Sequence, residues 1–210
     1  MTRKQYIDIL MSSLVGGDIF DEMHASLRLI GGLLEIAREK SIAAYVTQKK
    51  TIPSQLFQTT YPIFRKDAQY DECFTVFNLP SPIIQLDASK DSIGYIGGMN
   101  GTTPYIRSHD QSDYANSMQH PIMASVAKRE PVCVYVPEFG LVQINKTPGN
   151  LPKRIMVSAV FVDPTKVPEY NEEIDDYPIT QEIFSMAKDY MLQVDIKQLL
   201  ATTTDPKNKR

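Results

Sequence analysis

The sequence predicts an α+β fold in which an N-terminal helical hairpin and a C-terminal helix enclose an antiparallel β-rich insert, a sheet or a small barrel. Three observations lead there. Apolar residues recur at three- and four-residue spacing near both ends of the chain. Between them lie short runs of β-formers separated by Pro, Gly and Asn. Thirteen of the fourteen prolines fall between Pro53 and Pro178, so that interval is loop-rich. The expected organisation is a helical domain from residues 1–50 and 170–203, a β-rich domain over 51–169 and a flexible tail at 204–210.

The first helix starts at Thr2, with Gln5 three residues later in the position of a capping box. Tyr6, Ile7, Leu10, Met11 and Leu14 share one side of it, and Gly16 and Gly17 end it. A longer helix is predicted from Phe20 to Thr47. Met23, Leu27, Ile30, Leu34, Ala37, Ser41 and Ala44 follow one another at alternating steps of four and three residues, while Leu29, Leu33 and Ile36 form a second row. Packing on one side needs one row, so a second partner is expected. Gly31 and Gly32 each cost about 1 kcal/mol of helix propensity, which predicts close approach by a neighbouring backbone of the same chain or another subunit.

From Thr51 to Asp163 the runs "CFTVF", "PIIQL", "SIGYI", "PYIRS", "PVCVYV", "LVQI" and "RIMVSAVFV" read as strands. Residues 131–144 form the clearest hairpin, turning at Pro137-Glu138-Phe139-Gly140 with Gly140 taking a positive φ. The stretch "EEIDDYPITQEIF" then sets an acidic block ahead of the last helix. Pro178 suits its first turn, and Asp175 and Asp176 complement the positive end of the helix dipole. Ile179, Ile183, Met186, Ala187, Tyr190 and Val194 make its apolar stripe.

Composition is that of a soluble globular protein, and a net charge of −3 argues against general affinity for nucleic acid. Cys73 and Cys133 lack metal-ligand spacing and are read as buried thiols in a reducing compartment. No apolar run is long enough to span a bilayer, and Asp8 interrupts the one stretch resembling a signal peptide, so neither membrane insertion nor export by that route is expected.

Chemistry is sparse. The cluster "GYIGGMNG" lacks the Lys-Ser/Thr ending of a phosphate loop and reads as a turn. His109, Asp110, Asp113 and His120 have metal-ligand side chains but no spacing that converges them. No GxSxG elbow exists. Residues 59–70, with Tyr61, Phe64, Arg65, Lys66 and Tyr70, are the best stacking candidate for nucleic acid, and one such cluster in an acidic chain reads as an edge strand with solvated charges. No catalytic, cofactor-binding or metal-binding residues are assigned, and no cofactor is expected. The rival readings are a monomeric binding module of host or phage and a hydrolytic enzyme.

The opening "MTRKQYIDILMSSLVGGDIFDE", the "FNLPSPIIQLDASKDSIGYI" segment and the closing "AVFVDPTKVPEYNEEIDDYPITQEIFSMAKDYML" resemble structural proteins of crAss-like Bacteroides phages, ring components of the head-to-tail connector. The plan is also similar to podovirus tail tubular (adaptor) proteins. The resemblance implies a virion protein, made in the host bacterial cytoplasm, that forms a ring of about twelve identical subunits matching the portal. Its partners would be the portal, other tail ring proteins and genomic DNA passing through the lumen without specific binding. On that reading Met23, Leu27, Ile30, Leu34, Ile179, Ile183, Met186 and Tyr190 become the expected subunit contact, and Glu172, Glu173, Asp175 and Asp176 the expected channel lining.

Overall fold

In the computed structural model of the chain, residues 1–15, 23–49, 51–64, 74–87, 90–108, 111–119, 131–145 and 153–193 are described. Among the described residues the helices are α1 (Arg3–Val15), α2 (Met23–Lys49), α3 (Gln111–Gln119) and α4 (Gln181–Gln193). The strands are β1 (Gln58–Thr60), β2 (Phe74–Asn78), β3 (Gln85–Asp87), β4 (Lys90–Asp91), β5 (Ile93–Gly97), β6 (Ile106–Arg107), β7 (Val132–Val136), β8 (Leu141–Asn145) and β9 (Met156–Ala159). The class is α+β as predicted, with helices at both ends of the chain order flanking the β-rich segment. Two compact units are present, Met1–Gln55 with Asn171–Arg210, and Leu56–Tyr170.

The helical unit is built by α1, α2 and α4. The backbone N–H of Thr2 donates to Gln5 Oε1 at 2.9 Å, one arm of the expected capping box. Tyr6, Ile7 and Leu10 are buried. The expected stop at Gly16 and Gly17 lies outside the described residues. Ile30, Leu34, Ala37 and Ser41 of the first row on α2 are buried as their spacing demands, whereas Ala44 is exposed. This helix runs two residues past the expected Thr47. The ring of Tyr6 packs 4.5 Å from that of Phe184 and 5.9 Å from that of Tyr177, centroid to centroid.

The last helix starts later than Pro178. Thr180 is its cap, accepting the N–H of Ile183 at 3.3 Å. The carbonyl of Pro178 is taken by the Arg38 guanidinium at 2.9 Å, so it is not spent on a helical turn. The buried face is correspondingly Ile183, Phe184, Ala187 and Met191, with Met186 and Tyr190 half-buried beside it.

In the β unit, β1, β9 and β5 form one antiparallel sheet, β2, β8, β7 and β6 a second, and β3 with β4 a ribbon. One pairing departs from the antiparallel expectation: β6 runs parallel to β7. Each of the five residues of β7 is buried, because both faces of its sheet are covered. Phe77, Cys133, Tyr135, Val142 and Ile144 face the main core with Ile155, Val157 and Phe161. Val134, Val136 and Leu141 face a smaller cluster that includes Tyr114 of α3. The β7–β8 turn is the expected one, a 3₁₀ turn over Pro137–Phe139 closed by Gly140 at φ 58°.

Candidate assembly site

The helical unit carries an internal charge cluster. Arg3, from the first turn of α1, donates from Nε to Glu35 Oε1 of α2 at 3.0 Å. The Tyr177 hydroxyl donates to the other carboxylate oxygen of Glu35 at 2.6 Å. One turn on from Leu34, the fully buried Arg38 reaches the Pro178 carbonyl and lies 5.6 Å from the centroid of the Tyr177 ring. Burial pushes the Glu35 carboxyl up, and this outweighs the Tyr177 hydrogen bond, the Arg38 charge and the Arg3 pairing that favour its ionised form. Burial likewise holds the Tyr177 hydroxyl well above its ordinary value. These groups lock α1, α2 and the segment ahead of α4 to one another.

The cluster also explains one of the two glycines. A Cβ at Gly31 would stand 2.7 Å from Arg3 Nη2, so the close neighbour is a guanidinium and not the backbone expected from the sequence. Gly32 is exposed, and a Cβ added there would have nothing within 4 Å.

The acidic block is an ordered, exposed loop. Asn171 is its hub: its carbonyl accepts the N–H of Asp175 at 2.8 Å, its N–H donates to Asp175 Oδ2 at 2.8 Å, and its side-chain oxygen accepts the N–H of Glu173 at 3.0 Å. Glu172 lies 3.5 Å from Arg3 Nη1, and Asp176 pairs with the amino group of Met1. Ile174, at the tip, is 76% exposed. An open cleft of about 590 Å³ separates this loop from α1, lined by Thr2, Arg3, Lys4, Ile7, Asp8, Glu172 and Glu173.

The residues expected at a subunit contact fall into three groups. Ile30, Leu34, Ile179 and Ile183 are buried inside the helical unit, covered by the chain's own elements. Met186 and Tyr190 are half-buried, and the side chains of Met23 and Leu27 lie outside the described residues. The second row of α2 is what stays accessible: Leu29 and Leu33 are half-buried and Ile36 is 49% exposed. The sequence leaves the partner of this row open. The 3.6-residue period separates the two rows once the charges Glu35 and Arg38 are assigned to the inner one.

Among the described residues no group of three His, Cys, Asp or Glu side chains is placed to hold a metal ion, and no helix is long and apolar enough to cross a membrane. Asp113 is exposed on α3, and His109, Asp110 and His120 lie outside the described residues. Cys133 is a buried thiol on β7, while Cys73 lies outside. In the stacking candidate, the Tyr61 amide is held by Glu169 and Phe64 packs on the core; Arg65, Lys66 and Tyr70 lie outside.

The helical unit is thus braced by internal charges and leaves an apolar row on its surface. The family model described as phage tail ring protein 2 matches residues 5–210. The chain belongs to this family of crAss-like phage tail ring proteins. It is thereby a structural component of the virion tail that assembles with other tail proteins. No curated protein matches the ring protein's sequence.

Proposed function

We propose that this tail ring protein is the connector, or adaptor, between portal and tail, present as a ring of about twelve copies because a closed head-to-tail contact takes the symmetry of the vertex it joins. Its role is architectural and not enzymatic. The observation that carries the reading is the family match over residues 5–210. The acidic loop supports a channel. Glu172, Glu173, Asp175 and Asp176 are all exposed on a loop ordered by Asn171. Carboxylates facing a lumen repel phosphates and let the genome slide past, where lysines would bind it through counterion release.

A map of the intact tail at side-chain resolution tests both parts. The expected result is a ring of this chain directly beneath the portal with residues 172–176 facing the central passage. A ring at another level of the tail refutes the connector assignment. A connector ring with that loop buried between subunits refutes the lining alone.

A further inference from the structure

We infer that the outward face of α2 is the surface by which one copy of this ring protein docks onto α1 of the next copy. The inference rests on the ring assignment and adds to it the pair of faces that meet. Leu29, Leu33, Ile36 and Lys40 follow one another at steps of four, three and four residues along the side of α2 turned away from the buried row. This is the spacing by which a helix presents a seam to another helix. Gly32 sits in the middle of that face with open space above it, which lets a second helix come close.

Charge and area say what covers it. Lys40 is exposed at the end of the seam, where it donates to the Tyr190 hydroxyl at 2.6 Å, and it has Glu39 beside it. The face therefore lacks the several cations that a nucleic-acid backbone requires. A candidate face lies on the same unit: Asp8 and Ile9 are consecutive exposed residues of α1, with Ile9 38% exposed and Lys4 one turn before Asp8. An apolar side chain beside an acid answers an apolar side chain beside a base, so Ile9 meets Ile36 while Asp8 meets Lys40. The two faces differ, as a heterologous contact that closes into a ring requires. From Leu29 to Lys40 the seam is about 17 Å long on a helix about 10 Å wide. That is well short of the ~800 Å² per partner of a stable pair, so the isolated protein stays monomeric and the contact forms when the copies are gathered in the tail.

The test places a photoreactive benzoylphenylalanine at position 36, which is exposed and leaves the core intact, in ring protein assembled into phage tails. Irradiation should yield a species of twice the 23.7 kDa chain mass, with the cross-linked peptide inside Arg3–Val15 of the second copy. A cross-link to another tail protein, to a different segment of this chain, or none at all in tails that show the ring, overturns the inference and leaves the ring assignment standing. Tails in which this chain forms no ring overturn both. Charge exchange supplies a second readout. Lys40→Glu and Asp8→Lys should each reduce incorporation about tenfold, and the double variant should restore it. Normal assembly of either single variant, or failure of the double to recover while its monomer folds normally, overturns the pairing of these two faces.

Discussion

At the scale of single residues, the side chain with most consequence is Glu35, which is 13% exposed and receives hydrogen bonds from Arg3 and Tyr177. Replacing it with Leu removes the enclosed carboxylate beside Arg3 and the fully buried Arg38, leaving Arg3 only the exposed Glu172. The expected loss is about 3 kcal/mol, the cost of breaking an enclosed ion pair from one side, read as a shift in urea midpoint. Its titration has a definite sign. Burial raises its folded pKa above the unfolded value near 4.5, so its contribution is fully present below that pH and is lost as pH rises through the higher folded value. Glu35→Gln, whose amide oxygen still accepts from Tyr177, should therefore flatten the stability profile between mildly acidic and neutral pH. Equal slopes for the two proteins would refute this. Asp163 behaves oppositely. Burial raises its pKa but is outweighed by the Thr165 hydroxyl and amide and by Lys166, so its contribution is present above the unfolded value near 3.8 and lost as pH falls through the lower folded one. Asp163→Asn should lower stability at neutral pH, with the gap to the native protein closing in acid.

Among the elements, α2 and α4 show what local pattern conveys. The two adjacent glycines of α2 have the same propensity cost and opposite surroundings. Gly32→Ala should stabilise the isolated protein by about 0.5–1 kcal/mol because nothing opposes the added methyl. Gly31→Ala must displace a guanidinium held by Glu35 and should destabilise it. Paired thermal melts distinguish them. Thr180→Ala removes the cap of α4 and should cost about 1 kcal/mol, while a neutral result would mean that the helix begins elsewhere. Helices α1, α2 and α4 are legible in the sequence because amphipathic spacing is a local signal, and so is the Pro137–Gly140 turn, whereas α3 lies in an interval that reads as strands and polar loop and is missed. The buried charges are not. Glu35 and Arg38 sit three residues apart like any solvated helical pair, and their partners lie 32 to 142 residues away in sequence. The start of α4 is hidden for the same reason: Pro178 is a good first-turn residue until a distant arginine claims its carbonyl. Which apolar row of α2 faces inward is likewise decided by contacts between elements, and no single window of sequence contains them.

For the whole molecule, the division into two compact units implies that the β unit has the core it needs within itself. Residues 56–170 produced separately should unfold cooperatively on heating, with a far-ultraviolet spectrum dominated by strand. A non-cooperative melt would show that the division is geometric and not energetic. The helical unit is different in kind, because its parts come from both ends of the chain.

That split has a consequence for synthesis on the ribosome. The bonds from Arg38 to Pro178 and from Tyr177 to Glu35 join residues 140 and 142 positions apart. At bacterial translation speeds of about 5–20 residues per second, α2 waits roughly 7–28 s for α4 to emerge. Through that interval the inner row of α2 lacks its cover from α4, while residues 56–170 have time to fold first. The helical unit is completed only once residues 177–193 have been made, so a fragment released before them lacks the finished surface. Chains truncated before Tyr177 are therefore expected to stay out of the particle, which the protein content of purified tails checks.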